Sequence, residues 1–193
     1  LGNVTDADVS NNSIRQGYYS GISAGWSWGF KGTSLKRVRI AGNHVFNIGQ
    51  GLLSDMGGIY TLGVTTDTQV MNNVIDGVHA GEYGGWGLYA DEGTRNVEFT
   101  KNLISNTSSE SIHLHYADNN IVANNFFRSI RNVALCATND GFTKTIFKDN
   151  VLATGEREPW GWGCVQLGFQ IKPDNDIRPS MAAIPSMYRT IAK

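Results

Sequence analysis

Apolar and polar positions alternate along the chain in a phrase that returns six times. An apolar-x-apolar pair is followed by Asn and then by further apolar residues. It reads Val9-Ser-Asn-Asn12-Ser-Ile14, Val38-Arg-Ile40-Ala-Gly-Asn43-His-Val45 and Val70-Met-Asn-Asn73-Val-Ile75. It returns as Val97-Glu-Phe99-Thr-Lys-Asn102-Leu-Ile104, Ile121-Val122-Ala-Asn-Asn125-Phe126 and Ile146-Phe147-Lys-Asp-Asn150-Val151. With Asn12, Asn43, Asn73, Asn102, Asn125 and Asn150 as marks, the steps are 31, 30, 29, 23 and 25 residues. A repeat of this length marks stacked units, none of which can bury its apolar face alone. Period-two alternation, as in Val38/Ile40 and Val97/Phe99, predicts strands. The one stripe of helical period lies in the tail, Met181–Ala192.

A second strand is predicted between the marks. Its copies are 21–24, 58–62, 87–91, 111–115, 132–136 and 163–167. Two short strands per repeat, with room for a third, predict an all-β, right-handed parallel β-helix of about six coils over residues 1–170. Residues 171–193 form a tail with a short capping helix. Because the chain opens inside a repeat, it is read as a piece of a longer protein. Asn tolerates the left-handed backbone conformation and stacks into amide ladders, so the marks themselves are read as structural corners.

The distance from mark to second strand is 8–10 residues in the first, fourth and fifth coils and 14–16 in the second, third and sixth. The extra residues at that corner are 49–57, 79–86 and 155–162. Long loops on one side of a solenoid commonly form its binding face. In the second strand, Ile22, Ile59, Leu88, Ile112 and Val133 fall in one inward column. Tyr60, Tyr89 and His113 then share an outward column, on a face expected to be exposed, with Asp91 beside His115 in the next. Glu92 follows the strand end, while Asp55, Glu82 and Trp86 belong to the loops. Paired carboxylates suit glycosidic bond cleavage, one donating a proton and the other attacking carbon or activating water. Aromatic rings suit the C–H faces of sugars. Bland roles compete with these. Asp91-Glu-Gly93 also suits a strand-ending turn, and Asp55 a turn before Gly57-Gly58. His113 and His115 suit ordinary surface positions. In each of the pairs Trp26/Trp28 and Trp160/Trp162, alternation predicts one ring packed inward.

Net charge is −1, with 40% apolar and 17% charged residues. That balance gives no electrostatic case for nucleic acid or an anionic membrane, and no apolar run approaches the roughly 20 residues of a membrane helix. Cys136 and Cys164 make no disulfide framework. No Cys or third His completes a zinc set with His113 and His115.

Ser54-Asp-Met-Gly-Gly-Ile-Tyr-Thr-Leu-Gly63, Gly85-Trp-Gly-Leu-Tyr-Ala-Asp-Glu-Gly-Thr94 and the stretch 111–125 resemble bacterial right-handed parallel β-helix proteins of the carbohydrate-active kind. They are most similar to the β-helix glycoside hydrolases that include α-L-fucosidases and xylan-cleaving enzymes. The resemblance covers roughly residues 1–170. It implies a polysaccharide or oligosaccharide partner and a secreted, periplasmic or cell-surface setting. It also implies Asp55 and Asp91 as the catalytic carboxylates. Ala90 stands where the family more often has an aliphatic residue, and members usually carry many more coils than these 193 residues hold. The expected activity is hydrolysis of a plant or algal polysaccharide with no cofactor. Asp55 and Asp91 act as the pair, Glu92 as their substitute, His113 and His115 as tuning groups. Tyr60, Tyr89, Glu82 and Trp86 are expected to bind substrate. Two alternatives stay open. One is a polysaccharide lyase on the same fold, with a His/Tyr base and Ca²⁺ or Arg neutralising a uronate. The other is a non-catalytic carbohydrate-binding or structural β-helix.

Overall fold

A computed structural model describes residues 1–128, 133–136, 144–153, 160–162, 170–171, 173–178 and 186. Three short strands make each turn. The first turn holds β1 (Asp8–Ser10), β2 (Ser13–Arg15) and β3 (Ile22–Ala24). The second holds β4 (Arg39–Ala41), β5 (His44–Ile48) and β6 (Gly57–Thr61), and the third β7 (Val64–Met71), β8 (Val74–Val78) and β9 (Trp86–Ala90). The fourth holds β10 (Arg95–Thr100), β11 (Leu103–Thr107) and β12 (Ile112–His115). These four turns are described in full. Further strands are β13 (Ile121–Ala123), β14 (Phe126–Arg128), β15 (Val133–Cys136), β16 (Ile146–Lys148), β17 (Val151–Leu152) and β18 (Trp160–Trp162). Beyond the six expected coils, β19 (Gln170–Ile171) and β20 (Asp176–Ile177) begin another.

All pairings are parallel and join strands one turn apart, giving sheets of seven, seven and six strands. The chain is therefore a parallel β-solenoid. Sheet 1 runs β1-β4-β7-β10-β13-β16-β19, sheet 2 runs β2-β5-β8-β11-β14-β17-β20, and sheet 3 runs β3-β6-β9-β12-β15-β18. The core is a set of columns. Ile40, Val70, Phe99, Val122 and Phe147 stack beneath sheet 1, and Val45, Ile75, Ile104, Phe127 and Leu152 beneath sheet 2, all at 0% exposure. Ile59, Leu88 and Ile112 continue it beneath sheet 3.

The Asn marks form the ladder between sheets 1 and 2. Each carboxamide oxygen accepts from the backbone N–H and Nδ2 of the mark one turn earlier, from Asn43 receiving Asn12 to Asn150 receiving Asn125. Each Nδ2 also donates to a sheet 1 carbonyl, as Asn102 does to Val70 at 2.9 Å. The ladder runs on to Asn175, in the stretch expected to be tail. The left-handed residue is the one before each mark: Asn11, Gly42, Asn72, Lys101, Asn124 and Asp149 all have φ between 51° and 65°. The marks were expected to take that conformation themselves. They instead supply amides that satisfy buried backbone groups, which explains their burial at Asn43, Asn73, Asn102, Asn125 and Asn150.

The sixth copy of the second strand is corrected. The strand that pairs with β15 is Trp160–Trp162, with Val133 opposite Trp160, and 163–167 lie outside the described residues. Ten residues then separate Asn150 from the strand, as they do in the first and fourth turns. Among the described residues, the added loops at this corner belong to the second and third turns. Trp160-Gly-Trp162 alternates as well as the stretch after it, and the ladder takes the earlier segment. The rings of Trp160 and Trp162, Cys164 and the proposed capping helix lie outside the described residues. Among those described, no helix is long and apolar enough to cross a membrane.

Candidate active site

Sheet 3 carries the site. Ser23, Tyr60, Tyr89 and His113 are consecutive partners across β3, β6, β9 and β12, so the outward column is as expected. Its exposure is not. Every residue of β6 and β9 is buried on both faces. Tyr60, Leu62, Trp86 and Tyr89 make a second small core outside the sheet. The rings cover one another: Tyr60 meets Tyr89 edge-on at 5.1 Å between centroids, and Trp86 meets Tyr89 at 4.3 Å. Stacked aromatics bury large apolar area, which is why a face of alternating Tyr and His does not stay in water.

Two carboxylates reach these rings from opposite ends of the strands. The Tyr60 hydroxyl donates to Asp91 Oδ2 at 2.7 Å. The Tyr89 hydroxyl donates to Asp55 Oδ1 at 3.1 Å. Asp55 sits before β6 with φ of 58°, its N–H donating to the Tyr83 carbonyl at 3.1 Å. Its own carbonyl accepts from the Tyr19 hydroxyl at 2.8 Å. Asp91 sits just past β9 and is 8% exposed. Its carbonyl accepts from Thr94 N–H at 2.9 Å, so Asp91-Glu-Gly93 does form a turn, while the carboxylate stays free to meet Tyr60.

The electrostatics record this convergence. Tyr60 is pushed above the ordinary tyrosine range by burial first, then by its hydrogen bond to Asp91 and that residue's charge. Tyr89 is pushed up by burial first, then by the charges of Asp91 and Asp55, with its hydrogen bond to Asp55 adding to it. Tyr19 is raised by burial and then by Asp55. Tyr83 is raised first by the Asp55 charge. Four phenols are therefore held protonated around two carboxylates.

The histidines join through their rings. His113 stacks on Trp86 at 4.4 Å and 11° between planes, and on His115 at 5.7 Å. His115 meets Tyr116 at 4.4 Å. Burial, and then the neighbouring His115, lowers the His113 pKa to about 3, which keeps the ring neutral. Its Nδ1 is buried without a hydrogen-bond partner among the described residues. Trp86 Nε1 donates to Glu110 Oε2 at 2.7 Å. Trp86 is 8% exposed and acts here as a packing plate. Glu92 is half-buried beside Gly29, and its carbonyl accepts from Gly63 N–H at 3.1 Å. Glu82 is exposed on the loop rim, its N–H donating to Ser54 Oγ at 3.1 Å.

Sequence reasoning missed Tyr19, Tyr83 and Glu110. Tyr19 lies at the same corner as the bulging loops, in a turn that does not bulge. Tyr83 lies inside a loop already singled out. Glu110 stands two residues before the start of β12 and carried no periodic signal. A cavity of about 350 Å³ opens elsewhere, on the outer face of sheet 1 beside Asp67, Gln69, Glu98 and Lys144. It holds none of the aromatic and carboxylate residues above, so the chemistry places the candidate site on sheet 3. Among the described residues no group of three or more His, Cys, Asp or Glu could hold a metal ion. No family model, curated protein or solved structure matches the chain.

Proposed function

We propose that the chain is a glycoside hydrolase acting on a plant or algal polysaccharide, with Asp55 and Asp91 as the working carboxylates. One observation carries this: two aspartates 36 residues apart in sequence each hold one of two touching phenols, Asp55 that of Tyr89 and Asp91 that of Tyr60, whose rings meet at 5.1 Å between centroids. Cleavage of a glycosidic bond calls for two such carboxylates on one face. One aspartate would protonate the leaving oxygen while the other attacks the anomeric carbon or activates water. The likeness of the segments around Asp55 and Asp91 to β-helix glycoside hydrolases supports the same assignment. So does the surrounding aromatic surface, suited to sugar rings.

The phenols favour hydrolysis over β-elimination. Tyr60 and Tyr89 donate to carboxylates and are pushed up in pKa, so neither is poised to act as a tyrosinate base. The test is a panel of arabinoxylan, xyloglucan, homogalacturonan, rhamnogalacturonan, fucoidan and ulvan, each incubated with the protein. New reducing ends without ultraviolet absorbance support hydrolysis; an unsaturated, absorbing product identifies a lyase, and an uncut panel leaves a binding module.

A further inference from the structure

Trp26 and Trp28 were expected to split, one ring packed inward. Neither packs. They are 66% and 61% exposed, and their rings meet at 6.4 Å between centroids and 60° between planes. Two large apolar rings held in water at one place are costly unless something covers them.

Their position is built. Gly25, at φ of 96°, lies so close on the Leu62 carbonyl that any side chain there would push the segment away. The chain then crosses the ends of the next two strands. The Ser27 carbonyl packs on Gly63, and the Gly29 carbonyl on Gly93. Glu92 lies beside Gly29. Phe30 is anchored under the Arg95 guanidinium at 4.6 Å. The first turn thus lays an arm over the third, along the side of the site that holds Asp91 and Glu92. At the other end of the strands, Tyr19 and Tyr83 stand 45% and 57% exposed around Asp55. A five-residue strand such as β6 separates the two ends by roughly 16 Å. That is wider than one sugar ring.

Resting on the hydrolase reading, we propose that Trp26 and Trp28 form a glycan-stacking platform beside the Asp91 carboxylate, making the substrate an extended chain of several sugars that crosses sheet 3 from Tyr19 and Tyr83 to the Trp pair. The occupant is a glycan because the segment that carries the exposed rings runs against Glu92, the residue next to Asp91, and so joins stacking faces to an acid at the edge of the carboxylate site. Sugar C–H faces stack on the rings, and hydroxyls bond to the acid.

The test is affinity electrophoresis of the whole chain in gels containing each of the six glycans named above. The wild type, Trp26→Ala/Trp28→Ala and Asp91→Asn are compared, with melting temperature as a folding control. The expected result is that at least one glycan retards the wild type. The Trp double variant should then bind it about tenfold more weakly, a loss of about 1.4 kcal/mol. Asp91→Asn should stay retarded. Unchanged retardation of the Trp variant overturns the platform, as does absence of wild-type retardation in every gel. A wild-type dimer in sizing that the double substitution dissolves also overturns it, since the rings would then cover a second copy. Failure of the hydrolase reading looks different: retardation sensitive to the Trp pair, with no glycan ever cut.

Discussion

The Tyr60 hydroxyl and the Asp91 carboxylate, 31 residues apart and one turn apart in the solenoid, meet at 2.7 Å on the outer side of sheet 3. Tyr60 stands on β6 and Asp91 just past the end of β9, so the bond couples a strand interior to a turn. Tyr60→Phe removes the hydroxyl that donates to Asp91 Oδ2. A hydrogen bond to a buried charged group contributes about 1.5–3 kcal/mol, so the variant should lose stability of that order in urea unfolding. Because Asp91 then loses a fixed orientation, kcat should fall more than KM rises.

The Asn ladder makes a sharper stability prediction. In the middle of the solenoid, the Asn102 carboxamide accepts from the Asn73 backbone and side chain and donates to Val70 and Asn125. Asn102→Ala leaves several buried groups unpaired and should cost at least about 3 kcal/mol. Asn12, exposed at the first rung, should cost less than about 1 kcal/mol when replaced by Ala. Similar values for the two would refute the ladder as a principal source of stability.

The ladder is also where the sequence was most legible. Six Asn marks set the register, and from it the pairing of Tyr60 with Tyr89 and of Tyr89 with His113 followed without any tertiary information. The register says which residues are neighbours; it does not say what covers them. Tyr60 and Tyr89 point outward and are nevertheless buried, because rings and loops from other turns close over them. Trp26 and Trp28 alternate like strand residues and are nevertheless both exposed, because the close contact at Gly25 lifts their segment over the strand ends. The sixth strand was misplaced for a related reason: two adjacent stretches alternate equally well, and only pairing with Val133 selects Trp160. Asp55 and Asp91 were found through local motifs, whereas Tyr19 lies in a turn with no motif and is recognised only by its contact with Asp55.

Close packing beneath the site can be probed at Gly58. A Cβ there would lie 2.5 Å from Ile75 Cγ2 and 2.8 Å from the Gly87 carbonyl oxygen. Both contacts are in the packed interior and cannot yield without shifting strands. Gly58→Ala should destabilise by about 1–3 kcal/mol and lower turnover, since Gly58 lies between Asp55 and Tyr60. Thermal unfolding checks the first effect.

His113 predicts an acid sensitivity. Its pKa is lowered from an ordinary 6.5 to about 3 by burial and by His115. Above pH 6.5 the ring is neutral in both folded and unfolded chains and has no effect on the pH dependence. As pH falls below 6.5, the unfolded chain binds a proton that the folded chain refuses, so stability is lost progressively down to about pH 3. Between pH 6.5 and pH 5 the wild type should lose up to about 2 kcal/mol more than His113→Gln. Parallel urea titrations at the two pH values measure that difference; equal losses would show that His113 titrates in the fold.

The central claim is that Asp55 and Asp91 do the chemistry. It is tested most directly by the turnover of Asp55→Asn and Asp91→Asn on a glycan that the wild type cuts, followed by reducing-end release, with melting temperature recorded for each. The account predicts a loss of roughly a thousandfold or more in kcat for both variants, at a melting temperature that shows the solenoid intact. Either variant retaining wild-type turnover would contradict it.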